Sequence, residues 1–327
     1  MPLCVPNSPV MVNEPVPAGA EPPAGEPVRA PVSAGSFRRG VVLLAATGVL
    51  WGSIGLVVRL LQDRGEPVVP IAFWRFVCAS IVLVPVLGPA GLRELARQAR
   101  RPGRLLVVAV GSLAFQLLYF YAVRDVGVAV ATLIALGLAP VTLTCTEALT
   151  ARTAPAIRTL VPLALALTGL VLVTALGAPS PHTAPRPTAG IIEAIVSGLA
   201  YAATTTWSGP LSRRLEPSSI TLATTAVGVV LLLPATAAAD WHLPRSAPVI
   251  AGILWLAVVA TVIAYGLFYA GLRSTPGSVA MILTLLEPVT AVVLAAALLG
   301  ETLTPANLVG GVLLLGAVVV LYLAPRR

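Results

Sequence analysis

Long apolar runs, each of about 20 residues, follow one another along the chain from residue 40 to its end. A helix of about 20 residues spans roughly 30 Å of hydrocarbon, which is the thickness of a bilayer core. The runs therefore predict ten membrane-spanning helices and an all-α polytopic membrane protein. We place the spans near 40–61, 68–88, 105–123, 127–149, 159–177, 189–208, 219–239, 248–270, 278–299 and 306–324.

The composition agrees with a membrane protein and argues against a nucleic-acid partner. Only 10% of the 327 residues are charged, whereas soluble domains carry about 25%. The basic residues are all arginine, and they lie in short gaps between the apolar runs rather than in one basic stripe. Such gaps are where membrane orientation is encoded. We therefore expect a lipid bilayer around this chain and no nucleic acid.

Arginine positions predict how the chain is oriented. If the N-terminus is cytoplasmic, fourteen arginines fall on the inner side and four or five on the outer side. Arginine is enriched on the cytoplasmic side of membrane proteins. We expect a multi-pass protein with both termini in the cytoplasm, and the all-arginine basic content fits a GC-rich genome and a bacterial source. Residues 1–36 hold nine prolines and no apolar period, which predicts a disordered cytoplasmic tail.

Histidine and cysteine give no sign of a metal site or a cofactor. His182 and His242 are the only histidines, and both fall in predicted outer loops. Cys4, Cys78 and Cys145 form no CxxC motif and no even framework of disulfides. We expect no bound metal and no cofactor.

The chain contains an internal repeat with a constant offset of 148 residues. Residues 120–122 and 268–270 both read Phe-Tyr-Ala, and residues 140–142 and 288–290 both read Pro-Val-Thr. The two units are predicted to cover 37–178 and 186–325. Each unit crosses the membrane five times, so the second is inverted relative to the first. Inverted repeats are common in secondary transporters, whose substrate site lies near the midplane between the repeats.

Several motifs, taken in order, resemble the EamA-type branch of the drug/metabolite transporter superfamily. They are "GVLWGSIGLVVRLL" in the first span, "FWRF" in the second and "LEPVTAVVLAAALLGETLT" in the ninth. The resemblance covers about residues 40–325. It implies two EamA-like five-helix repeats and an inner-membrane carrier with a central cavity, which exports amino acids, other small metabolites or drugs. Ala139 and Thr153 stand where the second repeat has Glu287 and Glu301, so the halves are not chemically equivalent.

Two opposite charges, Arg75 and Glu287, lie near the middle of predicted spans. An arginine at the centre of a spanning helix costs about 2.5–3.5 kcal/mol on insertion scales, so such residues normally pair or serve a function. We consider two alternatives: a buried ion pair that locks the repeats together, and a site where Arg75 holds a substrate carboxylate while Glu287 holds an ammonium or a coupling proton. Thr284 and Thr290 lie three residues on either side of Glu287 and share its helix face.

Other candidates come from prolines, aromatic residues and one further carboxylate. Pro288 removes a backbone donor and clashes with the preceding turn, so we expect it to loosen the ninth helix, and Pro140 the fourth. Trp51, Trp74 and Tyr201 lie deep in their spans and could line a cavity or pack in the core. Glu193, near the outer end of the sixth helix, is a further candidate. Gly48, Gly52 and Gly55 predict close helix contacts along the first span.

The sequence predicts a secondary transporter that exports small organic solutes by alternating access. It could be a monomer or a homodimer, and the sequence does not decide whether transport is coupled to protons. A primary pump would need a phosphate loop with its lysine, and the chain has no lysine. No predicted span contains histidine or aspartate, which argues against intramembrane proteases. A membrane-embedded transferase with Glu193 or Glu287 as base, and a channel, are the alternatives.

Overall fold

The computed structural model describes residues 34–99, 103–176, 186–238, 246–300 and 302–323. These residues form twelve α-helices and two π-helical turns and contain no strand. The helices are α1 (Ala34–Gln62), α2 (Val68–Ala99), α3 (Gly103–Val126), α4 (Val128–Ala151), α5 (Ile157–Val171), α6 (Pro187–Ser212), α7 (Pro217–Ala238), α8 (Ala247–Ala257), α9 (Ala264–Leu272), α10 (Gly277–Thr284), α11 (Leu286–Leu299) and α12 (Pro305–Leu323). Residues 1–33 of the predicted tail, His182, His242 and Glu301 lie outside the described residues. Residues 34–36, which were also assigned to the tail, form the first turn of α1 instead.

Ten segments of these helices are long and apolar enough to cross a membrane, as the sequence predicted. Eight spans are formed by one α-helix each, and the fifth of these continues into a π-turn at Leu172–Leu176. The eighth span joins α8 and α9 through a π-turn at Val258–Ile263. The ninth joins α10 and α11 through Leu285, whose backbone is not helical (φ −66°, ψ 1°).

Two helices are longer than the sequence predicted. The second span was expected to end at residue 88, but α2 continues to Ala99 after a bend at Gly88, which has φ 62°. Glycine tolerates this left-handed conformation because it has no Cβ. The third span continues to Val126 and so includes Asp125, which is 1% exposed. The expectation that no span contains aspartate was therefore wrong, because polar residues can end a spanning helix where it reaches the boundary.

The main helix contacts join the two repeats. The first span, α1, packs against α9 and α11, while α6, the first helix of the second repeat, packs against α3 and α4. The remaining main pairs are α2 with α7 and α5 with α12. The first helix of each repeat therefore packs against helices of the other repeat, as expected for two inverted copies of one unit.

Glycine allows the closest of these approaches. A Cβ on Gly169 of α5 would lie 2.7 Å from the carbonyl oxygen of Gly310 on α12, and the reverse distance is also 2.7 Å. Real side chains do not come so close to a carbonyl, so both positions need glycine. Small residues at such points let membrane helices gain van der Waals contact, since lipid supplies no hydrophobic drive for association.

Candidate functional site

Arg75 is buried in α2, with 4% of its surface exposed. Its Nη2 donates a hydrogen bond to Oε1 of Gln116 on α3, and the guanidinium carbon lies 4.7 Å from the centre of the Phe76 ring. Gln116 is itself held in place because its Nε2 donates to the carbonyl of Ser112 (3.1 Å). The Nε of Arg75 is buried and has no hydrogen-bond partner among the described residues. One donor of a buried cation is therefore available to an anion.

Glu287 is the second residue of α11 and lies directly after the break at Leu285. It is half-buried and makes no hydrogen bond or ion pair with the described part of the chain. Pro288 has no N–H, so the carbonyl of Thr284 cannot receive the usual helical bond from that position. The carboxylate lies in the first turn of α11, where the helix dipole favours negative charge. Carbonyl groups at the end of α10 and the carboxylate of Glu287 therefore provide acceptors for a cation.

The structure does not form the ion pair between Arg75 and Glu287. The α2 helix packs chiefly against α7 and α8, whereas α11 packs chiefly against α1, so the two charges lie on helices that are not principal neighbours. Tyr265 on α9 interacts electrostatically with both Arg75 and Glu287. Each charge therefore retains unsatisfied bonding capacity.

The candidate threonines and Tyr201 lie beside Glu287. Thr284 and Thr290 each donate their hydroxyl to a carbonyl one turn earlier, to Met281 (2.9 Å) and Leu286 (3.1 Å) respectively. Each hydroxyl oxygen can still accept a bond. The Tyr201 hydroxyl lies next to Thr284 and interacts electrostatically with Glu287. These residues therefore form one polar cluster at the broken span.

Aromatic rings cover this cluster. Tyr201 stacks on Phe115 with ring centres 4.3 Å apart and an angle of 13° between the planes. The ring centres of Trp51 and Tyr265 are 5.0 Å apart. The Trp51 Nε1 also donates to the carbonyl of Ala260 in the π-turn (3.2 Å). Trp51 therefore joins α1 to the eighth span at the site.

Three predicted candidates lie elsewhere. Trp74 lies in a separate apolar depression between α2 and α8, together with Cys78 and Ile253. Glu193 lies near the N-terminal end of α6, where it interacts electrostatically with Arg124. Its buried Oε2 has no hydrogen-bond partner among the described residues. Pro140 is buried inside α4, which continues through it without a break.

The three candidate glycines of the first span differ in how closely they approach a neighbouring helix. A Cβ on Gly52 would lie 2.4 Å from Cβ of Thr290 and 2.7 Å from the carbonyl oxygen of Glu287, and Gly48 is similarly close to α10 and α11. The predicted close contact is confirmed for these two positions. A Cβ on Gly55 would meet no atom within 4 Å, so the prediction was wrong there.

Sequence reasoning missed Gln116 and Tyr265. Gln116 is an uncharged amide in the middle of a predicted span, and a polar group at that depth was a usable signal. Tyr265 lies in the eighth span and gives no comparable signal. Its interaction with both charges depends on how α9 packs against α1 and its other neighbours, which the sequence does not show.

Both ends of the bundle carry polar contacts between the repeats. At one end, the Glu147 carboxylate of α4 accepts bonds from the backbone N–H (3.0 Å) and the hydroxyl (2.5 Å) of Ser278, in the first turn of α10. At the opposite end, Asp125 of α3 pairs with Arg186, which precedes α6 (2.7 Å), and with Arg124 (2.8 Å). The polar site therefore lies between two polar contacts that join the repeats, one at each end of the bundle. We call these two contacts closures.

Known proteins resemble this chain over nearly its whole length. The model of the EamA-like transporter family matches residues 38–175 and 188–323. "Uncharacterized transporter YwfM" of Bacillus subtilis is 30% identical over 88% of this chain and 94% of its own. An "Uncharacterized transporter" of Archaeoglobus fulgidus is 30% identical over 88% and 97%. "Uncharacterized inner membrane transporter YicL" of Salmonella typhimurium is 27% identical over 90% and 98%.

One crystal structure of another protein has the same fold. It superposes with a TM-score of 0.72 and covers 86% of this chain and 95% of its own, at 15% sequence identity. At that identity the likeness concerns the fold alone. Together with the two matches of the family model, one in each repeat, these relatives show that the chain belongs to the EamA-like transporter family.

Proposed function

We propose that this membrane transporter is a secondary carrier that exports small organic solutes carrying a carboxylate, and in the simplest case both a carboxylate and an amine. The observation that carries the proposal is the separation of Arg75 and Glu287. Two opposite charges inside a membrane bundle that do not pair with each other are costly unless a ligand pairs with them or water solvates them. A zwitterionic solute offers the complementary charges.

Arg75 would bind the carboxylate of the solute. Its Nη2 is fixed by Gln116, so the guanidinium is oriented, and the buried Nε faces no competing acceptor among the described residues. A charged hydrogen bond in a site of low polarity is stronger than a neutral one. Phe115, Tyr201 and Trp51 would supply apolar surface for the rest of the solute.

Glu287 would bind the amine or, when the solute is absent, a proton. The carboxylate and the carbonyl ends of α10 are acceptors, and the break at Leu285 is of the kind that transporters use for cation and substrate sites. Proton coupling is therefore part of the proposal. Glu287 would exchange a proton for the amine when the site changes sides.

Alternating access would open one closure at a time. The contact of Glu147 with Ser278 closes one end, and the contact of Asp125 with Arg186 closes the other. Since α1 packs on the second repeat and α6 on the first, the moving bodies would each contain one exchanged helix. We further propose repeats at 37–178 and 186–325, both termini in the cytoplasm, a bacterial inner membrane, and a monomer or homodimer.

Transport by purified full-length protein in liposomes tests this proposal. A growth-rescue screen against toxic amino acids, analogues and cationic drugs would first select a solute. We expect saturable uptake that is accelerated by unlabelled solute on the opposite side, and at least a tenfold loss in Arg75→Leu and in Glu287→Gln. If Glu287 carries the coupling proton, Glu287→Gln would keep residual exchange but lose acceleration by a pH gradient.

Matched controls separate these effects from a loss of charge in general. Arg93→Leu and Glu94→Gln change the extension of α2 outside the site and should leave uptake unchanged. Wild-type transport by the Arg75→Leu, Glu287→Gln double mutant would refute the assigned roles. Uptake without stimulation from the opposite side would indicate a channel, and turnover of a lipid-linked donor without solute movement would indicate an enzyme.

A further inference from the structure

A groove lies on the outer face of the bundle, between α2 and the eighth span. It has a volume of about 350 Å³, which falls within the roughly 300–1,000 Å³ of small-ligand sites. Its depth is lined by Leu83 and Val86 of α2 and by Val262 and Gly266 of the eighth span. Val86 is 64% exposed, so the groove opens sideways, where a membrane would place acyl chains.

The mouth of the groove carries two opposite charges. Glu216, in the connection between α6 and α7, and Arg273, at the end of α9, both line it. Arg273 is oriented because its Nε and Nη2 donate to the carbonyls of Ser212 (2.7 Å) and Leu215 (2.8 Å). Within the described residues, neither Glu216 nor Arg273 takes part in a salt bridge. Both charges are therefore available to a ligand whose own charges are complementary.

The polarity of the groove matches one class of molecule. Apolar residues lie along its depth inside the span, and charged residues lie at the helix ends, where a membrane surface would be. We propose that the groove binds a phospholipid whose head group carries both a phosphate and a protonated amine, of the phosphatidylethanolamine type. Arg273 binds the phosphate, Glu216 binds the ammonium, and one acyl chain lies along Val86 and Gly266. Basic residues at the ends of spanning helices are a known feature of lipid sites.

This site does not depend on the transport proposal. The groove opens to the outside of the bundle, and it needs no substrate at Arg75 or Glu287. A lipid bound there would contact α9, the helix that carries Tyr265, and so would influence the transport site indirectly.

Gly266 permits a test that fills the groove without disturbing its neighbours. A Cβ at this position would meet no atom within 4 Å, so Gly266→Leu adds bulk to the groove rather than to a packed contact. Gly316 of α12 is a matched control, because it is also helical and also open by the same measure. Gly266→Ala provides a smaller step if the leucine variant fails to fold. Thermal unfolding in lipid-free detergent should be unchanged in all variants that are compared.

Lipid retention by the purified full chain can be counted by native mass spectrometry. The probes are phosphatidylethanolamine, phosphatidylcholine, whose methylated amine donates no hydrogen bond, and phosphatidylglycerol, which has no amine. We expect wild type and Gly316→Leu to retain one phosphatidylethanolamine, and Gly266→Leu to bind it about tenfold more weakly. Glu216→Gln should abolish the preference for phosphatidylethanolamine over phosphatidylglycerol. Equal retention by Gly266→Leu, or equal retention of the three lipids by wild type, would overturn the proposal.

Discussion

Arg75 donates a hydrogen bond to Gln116, a neutral amide, while Glu287, the carboxylate of opposite charge in the ninth span, remains without an ionic partner among the described residues. The difference matters because a carboxylate at position 116 would neutralise the guanidinium, whereas the amide of Gln116 orients it and leaves its charge intact. The arrangement is suited to binding an anion reversibly rather than to holding two helices together.

Replacing Gln116 by glutamate should convert this hydrogen bond into an ion pair. We expect Gln116→Glu to fold normally and to bind carboxylate solutes about tenfold more weakly, because a fixed carboxylate then competes for Arg75. The measurement is KM for uptake in liposomes. Gln62→Glu, an exposed change at the end of α1, is the control. An unchanged KM for Gln116→Glu would mean that Arg75 does not contact the solute.

Glu147 should stabilise the start of α10. Its carboxylate accepts from the Ser278 backbone N–H and hydroxyl, which satisfies an N-terminal amide of the helix and complements its dipole. Loss of this kind of cap costs about 0.5–2 kcal/mol. We expect Glu147→Ala to lower the free energy of unfolding by that amount, as measured by denaturant titration in detergent.

A double-mutant cycle checks that this effect comes from Ser278. If the two residues act as one contact, Glu147→Ala and Ser278→Ala combined should cost about as much as the larger single change. Full additivity would show that they act independently. Glu94→Ala, at an exposed ion pair of α2, controls for the loss of one carboxylate and should cost less than about 1 kcal/mol.

Gly52 and Gly55 provide a matched pair on the first span. Gly52→Leu should destabilise the protein by about 1–3 kcal/mol or more, because the side chain would overlap Thr290 and the carbonyl of Glu287. Gly55→Leu should be tolerated, since a Cβ there meets open space. Thermal unfolding and liposome uptake of both variants give the comparison. Equal tolerance at both positions would contradict the close approach of α1 to the broken span.

Cysteine labelling in a background without native cysteine tests the orientation. Ala96→Cys lies beside Arg97 on the exposed extension of α2, and Asp63→Cys lies in the connection between α1 and α2 at the opposite end. The arginine distribution predicts that a membrane-impermeant reagent added outside intact cells labels position 63 and not position 96. Labelling of position 96 from outside would reverse the predicted orientation.

The sequence by itself determined the ten spans, the family and the two inverted repeats. Span length follows from the thickness of the bilayer, and a repeat of 148 residues is visible in identical triplets, so both are local or linear properties of the chain. The depth of Arg75 and Glu287 could be predicted for the same reason. Helical spacing also predicted that Thr284 and Thr290 share the helix face of Glu287.

Only the tertiary structure decided which of these groups meet. The two charges could have paired, but α2 and α11 have other principal neighbours, and helix packing in a membrane is set by small residues such as Gly52, Gly169 and Gly310 whose partners are distant in sequence. The same packing brought Gln116 to Arg75 and brought Tyr265 into electrostatic interaction with both charges. A linear pattern gives the depth and face of a residue on its helix, whereas the identity of the facing helix depends on how ten spans fit together.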